Sequence, residues 1–393
     1  MKFNTFQNRK PLKSAKQLGW NLFILTDLLK DDSRNVRKIK KSDYLENGQK
    51  PIIDQGKQLI GGYTNLDEGF YNEESYIVFG DHTRIIKYID FPSFIGADGV
   101  KVLRNKNREI VDTKYLYYFL QSINIPDAGY SRHFKFLKEV IVPVPPQSVQ
   151  LQIVNTISKV HSITKKREQQ IEALTALKQS LFYEMYLNNV IDKKQNKMKD
   201  LIIESRNGLS RRGNDDSGEI VLKLRDIRDN TIDFTNLNRI SLTEKEKESY
   251  SVNKQDLLLV RVNGNPDYVG RSAIFEGYKE SVYFNDHIIR LKLNNDINVG
   301  FLSYYLNSRY GLSEFAKQIK TSAGQYTINR KGIDNVNITY PDLSIQNKLI
   351  INFKEIDKRI NNLESSLSEM KRLYDSLLHK AFNGELFKEE INA

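Results

Sequence analysis

Apolar residues recur in alternating steps of four and three over two long stretches, and neither stretch contains Pro or Gly. The first carries Ile153, Ile157, Val160, Ile171, Leu174 and Leu181. The second carries Leu349, Phe353, Ile356, Ile360, Leu363, Leu367, Met370, Tyr374 and Leu377. The second set fills the a and d positions of a heptad without interruption, whereas the first has Thr164, Arg167 and Lys178 on its seam. A 4-3 period held over about four heptads predicts a coiled-coil helix, and each helix would be roughly 58 Å long. The entries repeat too. Pro145-Pro146-Gln147-Ser148-Val149-Gln150 matches Pro341-Asp342-Leu343-Ser344-Ile345-Gln346, 196 residues further on. In each, a Pro ends the preceding strand and a Ser stands where an N-cap is expected. The chain reads as an internal duplication, with the helices as spacers.

Before each of the long helices the period is different. Residues 76–80, 100–103 and 140–144 read as strands and 113–122 as a helix, punctuated by Gly- and Asp-rich turns. Further on, 219–224, 256–262 and 287–293 read as strands, and the helix 301–308 corresponds to 115–122. The expected fold class is α+β: two similar α/β globules separated by two long antiparallel coiled-coil helices, related by a pseudo-two-fold. The expected boundaries are a first globule at 1–145, with 1–16 as a flexible arm, and a first helix at 146–187. A polar linker at 188–200, a second globule at 201–342, a second helix at 343–383 and a tail at 384–393 follow. An approximate two-fold would make the helices antiparallel and push the globules to opposite ends, as in a dumbbell.

Composition narrows the function. A length of 393 residues suffices for two or three domains. A mean hydropathy of −0.54, with no run of about 18 apolar residues, excludes a membrane span of the usual kind. The first residues are polar and basic, so no secretory signal is expected. The absence of Cys removes disulfides and thiolate chemistry and fits a reducing, cytoplasmic setting. A net charge of +11, with 21 Tyr and 19 Phe, points to an anionic partner, nucleic acid first.

With these features assembled, the chain resembles the DNA-sequence specificity subunit of type I restriction-modification systems over nearly its whole length. The resemblance rests on the globule–helix–globule–helix order, the two Pro-x-x-Ser-[Val/Ile]-Gln entries and the Gly19-Trp20 opening. Phe136-Leu-Lys-Glu-Val-Ile-Val-Pro143 and Asp256-Leu-Leu-Leu-Val-Arg261 add to it. It implies two target-recognition domains, each reading half of a split, asymmetric double-stranded DNA site. It implies helices that act as a ruler and dock two methyltransferase (modification) subunits. Those partners would carry S-adenosylmethionine and methylate adenine, a separate restriction/translocase subunit would cut, and this chain would hold no cofactor and do no chemistry.

Asn265-Pro266-Asp267-Tyr268 is similar to the Asn-Pro-Pro-[Tyr/Phe] motif with which amino-methyltransferases hold a flipped adenine. Its second Pro is Asp, and no Gly-rich strand–turn–helix precedes it, so an Asn-Pro turn is expected. A self-contained N6-adenine methyltransferase and a non-specific coiled-coil DNA scaffold remain the alternatives. The five histidines lack metal-ligand spacing, and His161 and His379 are expected to be solvated. For DNA contact, basic, amide and aromatic side chains in loops are the candidates. In the first globule these are Arg34, Arg37, Lys38, Lys57, His82, Arg84, Tyr130, Arg132 and His133. In the second they are Arg206, Arg211, Arg212, Arg261, Asn263, Asn265, Tyr268, Arg271, Gln325, Tyr326 and Arg330.

Overall fold

The computed structural model describes residues 9–129, 131–188, 194–322 and 324–386. They divide into two compact units. One runs up to Ile171 and takes in the chain from Asn362, and the other is Glu172–Asn361.

The first unit opens with helix α1 (Arg9–Gln17), strand β1 (Asn21–Ile24), the helical turn α2 (Leu25–Leu28) and β2 (Leu29–Asp31). Strands β3 (Lys38–Ile39), β4 (Lys50–Ile53), β5 (Gly62–Thr64), β6 (Tyr76–Gly80), β7 (Ile86–Ile89), β8 (Phe94–Gly96) and β9 (Val100–Asn105) follow. Then come α3 (Thr113–Ser122), α4 (Phe134–Leu137), β10 (Ile141–Val144) and the long helix α5 (Gln147–Asn188). One sheet has the order β2-β9-β6-β7 and a second β3-β8-β4-β5, while β1 pairs with β10. Strand β6 is apolar and buried at every position, which suits a strand covered on both faces. Successive side chains point to opposite faces. Ile77 and Phe79 therefore join the core under α3, and Tyr76 and Val78 join the core against the second sheet. The Asp112 carboxylate caps α3 by accepting from the Tyr115 amide at 2.8 Å.

The second unit repeats this plan. It begins with β11 (Lys194–Lys197), α6 (Met198–Leu201), β12 (Ile202–Asn207), β13 (Glu219–Leu222), β14 (Arg239–Ile240) and α7 (Glu244–Tyr250). Next are β15 (Leu257–Val260), β16 (Val262–Asn263), β17 (Ser272–Ile274), β18 (Val282–Phe284), β19 (Ile288–Leu293), α8 (Val299–Leu306) and α9 (Arg309–Ala316). It closes with β20 (Lys320–Ser322), β21 (Gln325–Thr327), α10 (Arg330–Asp334), β22 (Asn337–Tyr340) and α11 (Leu343–Phe382). The order β12-β19-β15-β17 reproduces β2-β9-β6-β7, and β18-β13-β14 reproduces β8-β4-β5. Pairing of β11 with β22 reproduces β1 with β10, and a small sheet β16-β21-β20 is added. Strand β15 splits its side chains between two cores as β6 does.

Each core also takes in parts of both long helices. In the first unit Ile153, Val154 and Ile157 of α5 are buried with Leu378, Ala381 and Phe382 of α11. In the second, Leu349, Ile350 and Phe353 of α11 are buried with Phe182 of α5. The two helical stretches run in opposite senses. In the first unit the His161 ring lies 5.5 Å from that of Tyr374, and Lys371 is 2.9 Å from Glu168. In the second, Lys178 pairs with Asp357.

Several expectations need correction. Residues from Arg9 form α1 rather than a flexible arm, because Ala15 is fully buried in the core. The polar stretch expected as a linker holds β11 and the first residues of α6. Its Lys and Asn side chains suit an edge strand paired on one side, while Met198 and Leu201 anchor it from beneath. Ser148 and Ser344 are not N-caps. The first helical bonds go to the carbonyls of Pro146 and Asp342, which places each Ser inside the helix. The strand expected at 256–262 breaks at Arg261, whose amide donates to the His287 carbonyl at 2.9 Å. The strand expected at 219–224 ends at Leu222. His161 is half-buried between Tyr118 and Tyr374 rather than solvated.

Candidate nucleic-acid interface

Equivalent strand ends in both units present loops at equivalent places: after β2 or β12, between β6 and β7 or β15 and β17, and before β9 or β19. A last loop precedes α4 or α10. The sequence-derived candidates fall mostly on these loops.

In the first unit the β6–β7 turn carries His82 and Arg84. Arg84 adopts φ 62°, and its guanidinium donates to Asp127 at 2.9 Å and to the Ile125 carbonyl at 3.3 Å. Gln55 holds the turn by accepting from the His82 amide at 3.3 Å and donating to the Asp98 carbonyl at 3.2 Å. Gly99 has φ +65°, and a Cβ there would meet the His82 ring at 2.4 Å, so a larger residue would strain the backbone and push that ring aside. The Lys38 ammonium donates to the Val100 carbonyl at 3.0 Å. Burial, and then the neighbouring Lys101 and Arg132 charges, hold Lys38 below the usual lysine range. His82 thus meets Gln55 and Gly99, Lys38 the neighbouring Val100 backbone with the Arg132 charge near it, while the Arg84 guanidinium turns to Asp127. Arg34 is exposed, and Arg37 is turned to the Glu68 carbonyl at 3.2 Å. Lys57 faces a separate cleft beside α3 and α5. Tyr130 lies outside the described residues.

His133 leaves the candidate set. It is only 1% exposed, and both ring nitrogens are engaged. Nε2 accepts from the Ala128 amide at 3.1 Å, so Nδ1 carries the proton and donates to the Asp81 carbonyl at 2.8 Å. It braces the last loop from inside.

In the second unit, Arg212 lies 2.8 Å from Asp286 and 3.3 Å from the His287 Nε2. The Arg261 guanidinium donates to the Asp286 carbonyl at 3.1 Å. Asn263 is paired with Tyr326 across β16 and β21, and exposed Gln325 is its neighbour. Arg212, Arg261, Asn263, His287, Gln325 and Tyr326 therefore share one cationic, hydrogen-bonding surface. Burial, and then the two guanidiniums, hold the His287 imidazole below its ordinary pKa against the pull of Asp286. On the adjoining loop the Asn265 side chain accepts from the Asp267 amide at 3.0 Å, capping a helical turn. The Arg271 guanidinium lies 4.1 Å from the centre of the Tyr268 ring and 2.7 Å from Asp229.

The remaining candidates are more dispersed. Arg211 makes a two-pronged bond to Glu246, at 3.2 and 3.0 Å, which holds that carboxylate down at about 2. Arg206 lies over the Tyr250 ring, and exposed Arg330 starts α10. Sequence reasoning missed Gln55, Lys101 and His287. Lys101 sits at an outward position of β9, and the strand's alternation could have found it. Among the described residues there is no acidic or histidine cluster fit for a metal. No helix there is long and apolar enough to cross a membrane.

The chain is a duplicated α/β unit with cationic, hydrogen-bonding loops at equivalent places in both copies. The chain belongs to the family described as type I restriction modification DNA specificity domain, which matches residues 17–173 and again 212–371. It is 35% identical over 195 residues to the type I restriction enzyme StySPI specificity subunit of Salmonella potsdam, covering 47% of this chain and 42% of that protein. It is 24% identical over 269 residues to the EcoKI specificity subunit of Escherichia coli K12, covering 62% of this chain and 57% of that protein. The chain thus spans about half the length of these curated relatives. In fold it is similar to the crystal structure of the type I restriction-modification S subunit from M. genitalium. That likeness has a TM-score of 0.61 at 16% identity, over 92% of this chain and 96% of that one.

Proposed function

We propose that this chain is the DNA-recognition subunit of a type I restriction-modification complex, each unit reading one half of a split, asymmetric site. One observation carries this reading. The two units share strand order and loop positions, yet the loops bear different side chains: Gln55, His82 and Arg84 in one, Arg212, Arg261, Asn263 and His287 in the other. Loop lysines and arginines hold phosphates, and amides and guanidiniums reach base edges. The long helices act as an antiparallel coiled-coil ruler that sets the unread gap and docks two modification subunits. S-adenosylmethionine belongs to those partners, and this chain is a non-catalytic reader in the cytoplasm. The Asn265 amide oxygen is already committed to its own turn, which supports a DNA-contact loop over a methyltransferase motif.

Long-read mapping of N6-methyladenine in the native genome, with the gene intact and deleted, tests the proposal. Deletion is expected to erase one split asymmetric motif. An unchanged methylation map in a strain that expresses the modification subunit would overturn it.

A further inference from the structure

A cleft of about 390 Å³ lies in the first unit between β7, α3 and α5, starting at Ile85 just beyond the His82–Arg84 turn. Lys57, Lys114 and Lys165 line it, and among the described residues none of them has a carboxylate partner. Lys87 lies at its wall, 5% exposed, held by Asp54 at 3.5 Å and the Leu59 carbonyl at 3.3 Å. The Lys114 ammonium sits 5.4 Å from the centre of the Tyr88 ring. At the floor, the Tyr118 and Ser158 hydroxyls lie 2.9 Å apart, beside His161.

The second unit shows what this node looks like when it is satisfied internally. By the 196-residue repeat, His161 corresponds to Asp357 and Tyr374 to Lys178. There Asp357 accepts from the Tyr304 hydroxyl at 3.2 Å and pairs with Lys178, whose ammonium lies 4.6 Å from the Tyr304 ring centre. The first unit has an imidazole and a tyrosine at those two places and gathers lysines around them. Asp54 is held by Lys87 and Glu168 by Lys371 at 2.9 Å, while the charges of Asp90 and Asp112 act on Tyr88 at the cleft wall. Burial, then Lys165 and Lys114, keep His161 below its ordinary pKa.

We propose that this cleft binds a phosphate of the DNA backbone outside the bases read by the first unit. The DNA source rests on the function proposed above; the phosphate chemistry rests on the cleft alone. Strand β7 leads from the His82–Arg84 turn into the cleft wall, and its four residues span roughly 13 Å. A DNA strand held at that turn reaches the cleft within about four nucleotides.

The test uses the full chain, with a random-sequence duplex and inorganic phosphate as probes. His161 ring resonances and the salt dependence of duplex affinity are the readouts. Both probes are expected to shift the ring signals and raise the His161 pKa. Lys114→Ala with Lys165→Ala is expected to weaken binding equally for all duplexes and to flatten the log–log salt slope by about 1 to 2. His161→Asp, which places the second unit's carboxylate in the cleft, is expected to do the same without removing a lysine. Wild-type affinity and slope in both variants, or a His161 signal that no probe moves, overturns the proposal. Phosphate that saturates the cleft and is not displaced by duplex overturns the DNA source. Failure of the recognition reading would appear instead in the methylation map, with His161 still responding to phosphate.

Discussion

Gln150 and Gln346 each join the cap of a helix to the proline carbonyl that ends the preceding strand. Gln150 accepts from the Asp112 amide at 2.9 Å and donates to the Pro145 carbonyl at 2.8 Å. Gln346 accepts from the Asn298 amide at 2.8 Å and donates to the Pro341 carbonyl at 2.7 Å. Both side chains are almost wholly buried, so each fixes the start of a long helix to the cap of α3 or α8. Gln346→Leu is expected to strip one buried and one half-buried backbone group of their partner and destabilise the second unit by about 1–3 kcal/mol. Exposed Ser344→Ala is expected to stay within about 0.5 kcal/mol. Hydrogen-exchange protection of the α8 amides measures both. A larger loss from Ser344→Ala than from Gln346→Leu would restore the serine-cap reading. The repeat of this hexapeptide was plain in the sequence, but the working residue within it was not. The Gln partners lie 38 and 48 residues away in the chain, beyond any local pattern. His133 was illegible for the same reason, because its neighbours Arg132 and Lys135 advertise a surface while its ring is braced inside by Asp81.

At the scale of elements, apolar period carried the most information. Helix α3 and strand β6 have the limits expected from the sequence because their own residues decide them. Strand β11 does not, since its Lys-Gln-Asn-Lys sequence becomes a strand only through the edge of β22. The polar breaks in the α5 seam also divide on inspection of contacts. Lys178 pairs with Asp357 and spreads its charge over Tyr304 and Phe353, at 4.6 and 5.6 Å. Arg167 instead has a buried Nε without a partner among the described residues. Lys178→Leu should therefore cost the second unit about 1 kcal/mol, whereas Arg167→Leu should leave the first unit as stable or make it more so. Exchange protection along α5, read separately near each site, decides between them. Gained protection near Lys178 in its Leu variant would mean that the ammonium is only a flaw in the seam.

For the whole molecule, the repeat limits how a module can be exchanged. The sequence alone suggested a second globule from residue 201, but a cut there would separate β11 from β22 and strip Met198 from the core. Replacing 194–340 with the equivalent segment of a related chain keeps the β11–β22 pair together and leaves both long helices intact. The buried contacts that a foreign module must supply are those met by Phe182, Leu349 and Phe353. If each unit reads its own half-site and the helices set the gap, this exchange changes one half of the methylated motif. The other half and the number of unread bases between them stay as they were. N6-methyladenine mapping of a deletion strain carrying the hybrid gives all three quantities in one experiment. A hybrid that alters both halves would show that recognition is shared between the units, and one that alters only the gap would place spacing in the second module rather than in α5 and α11.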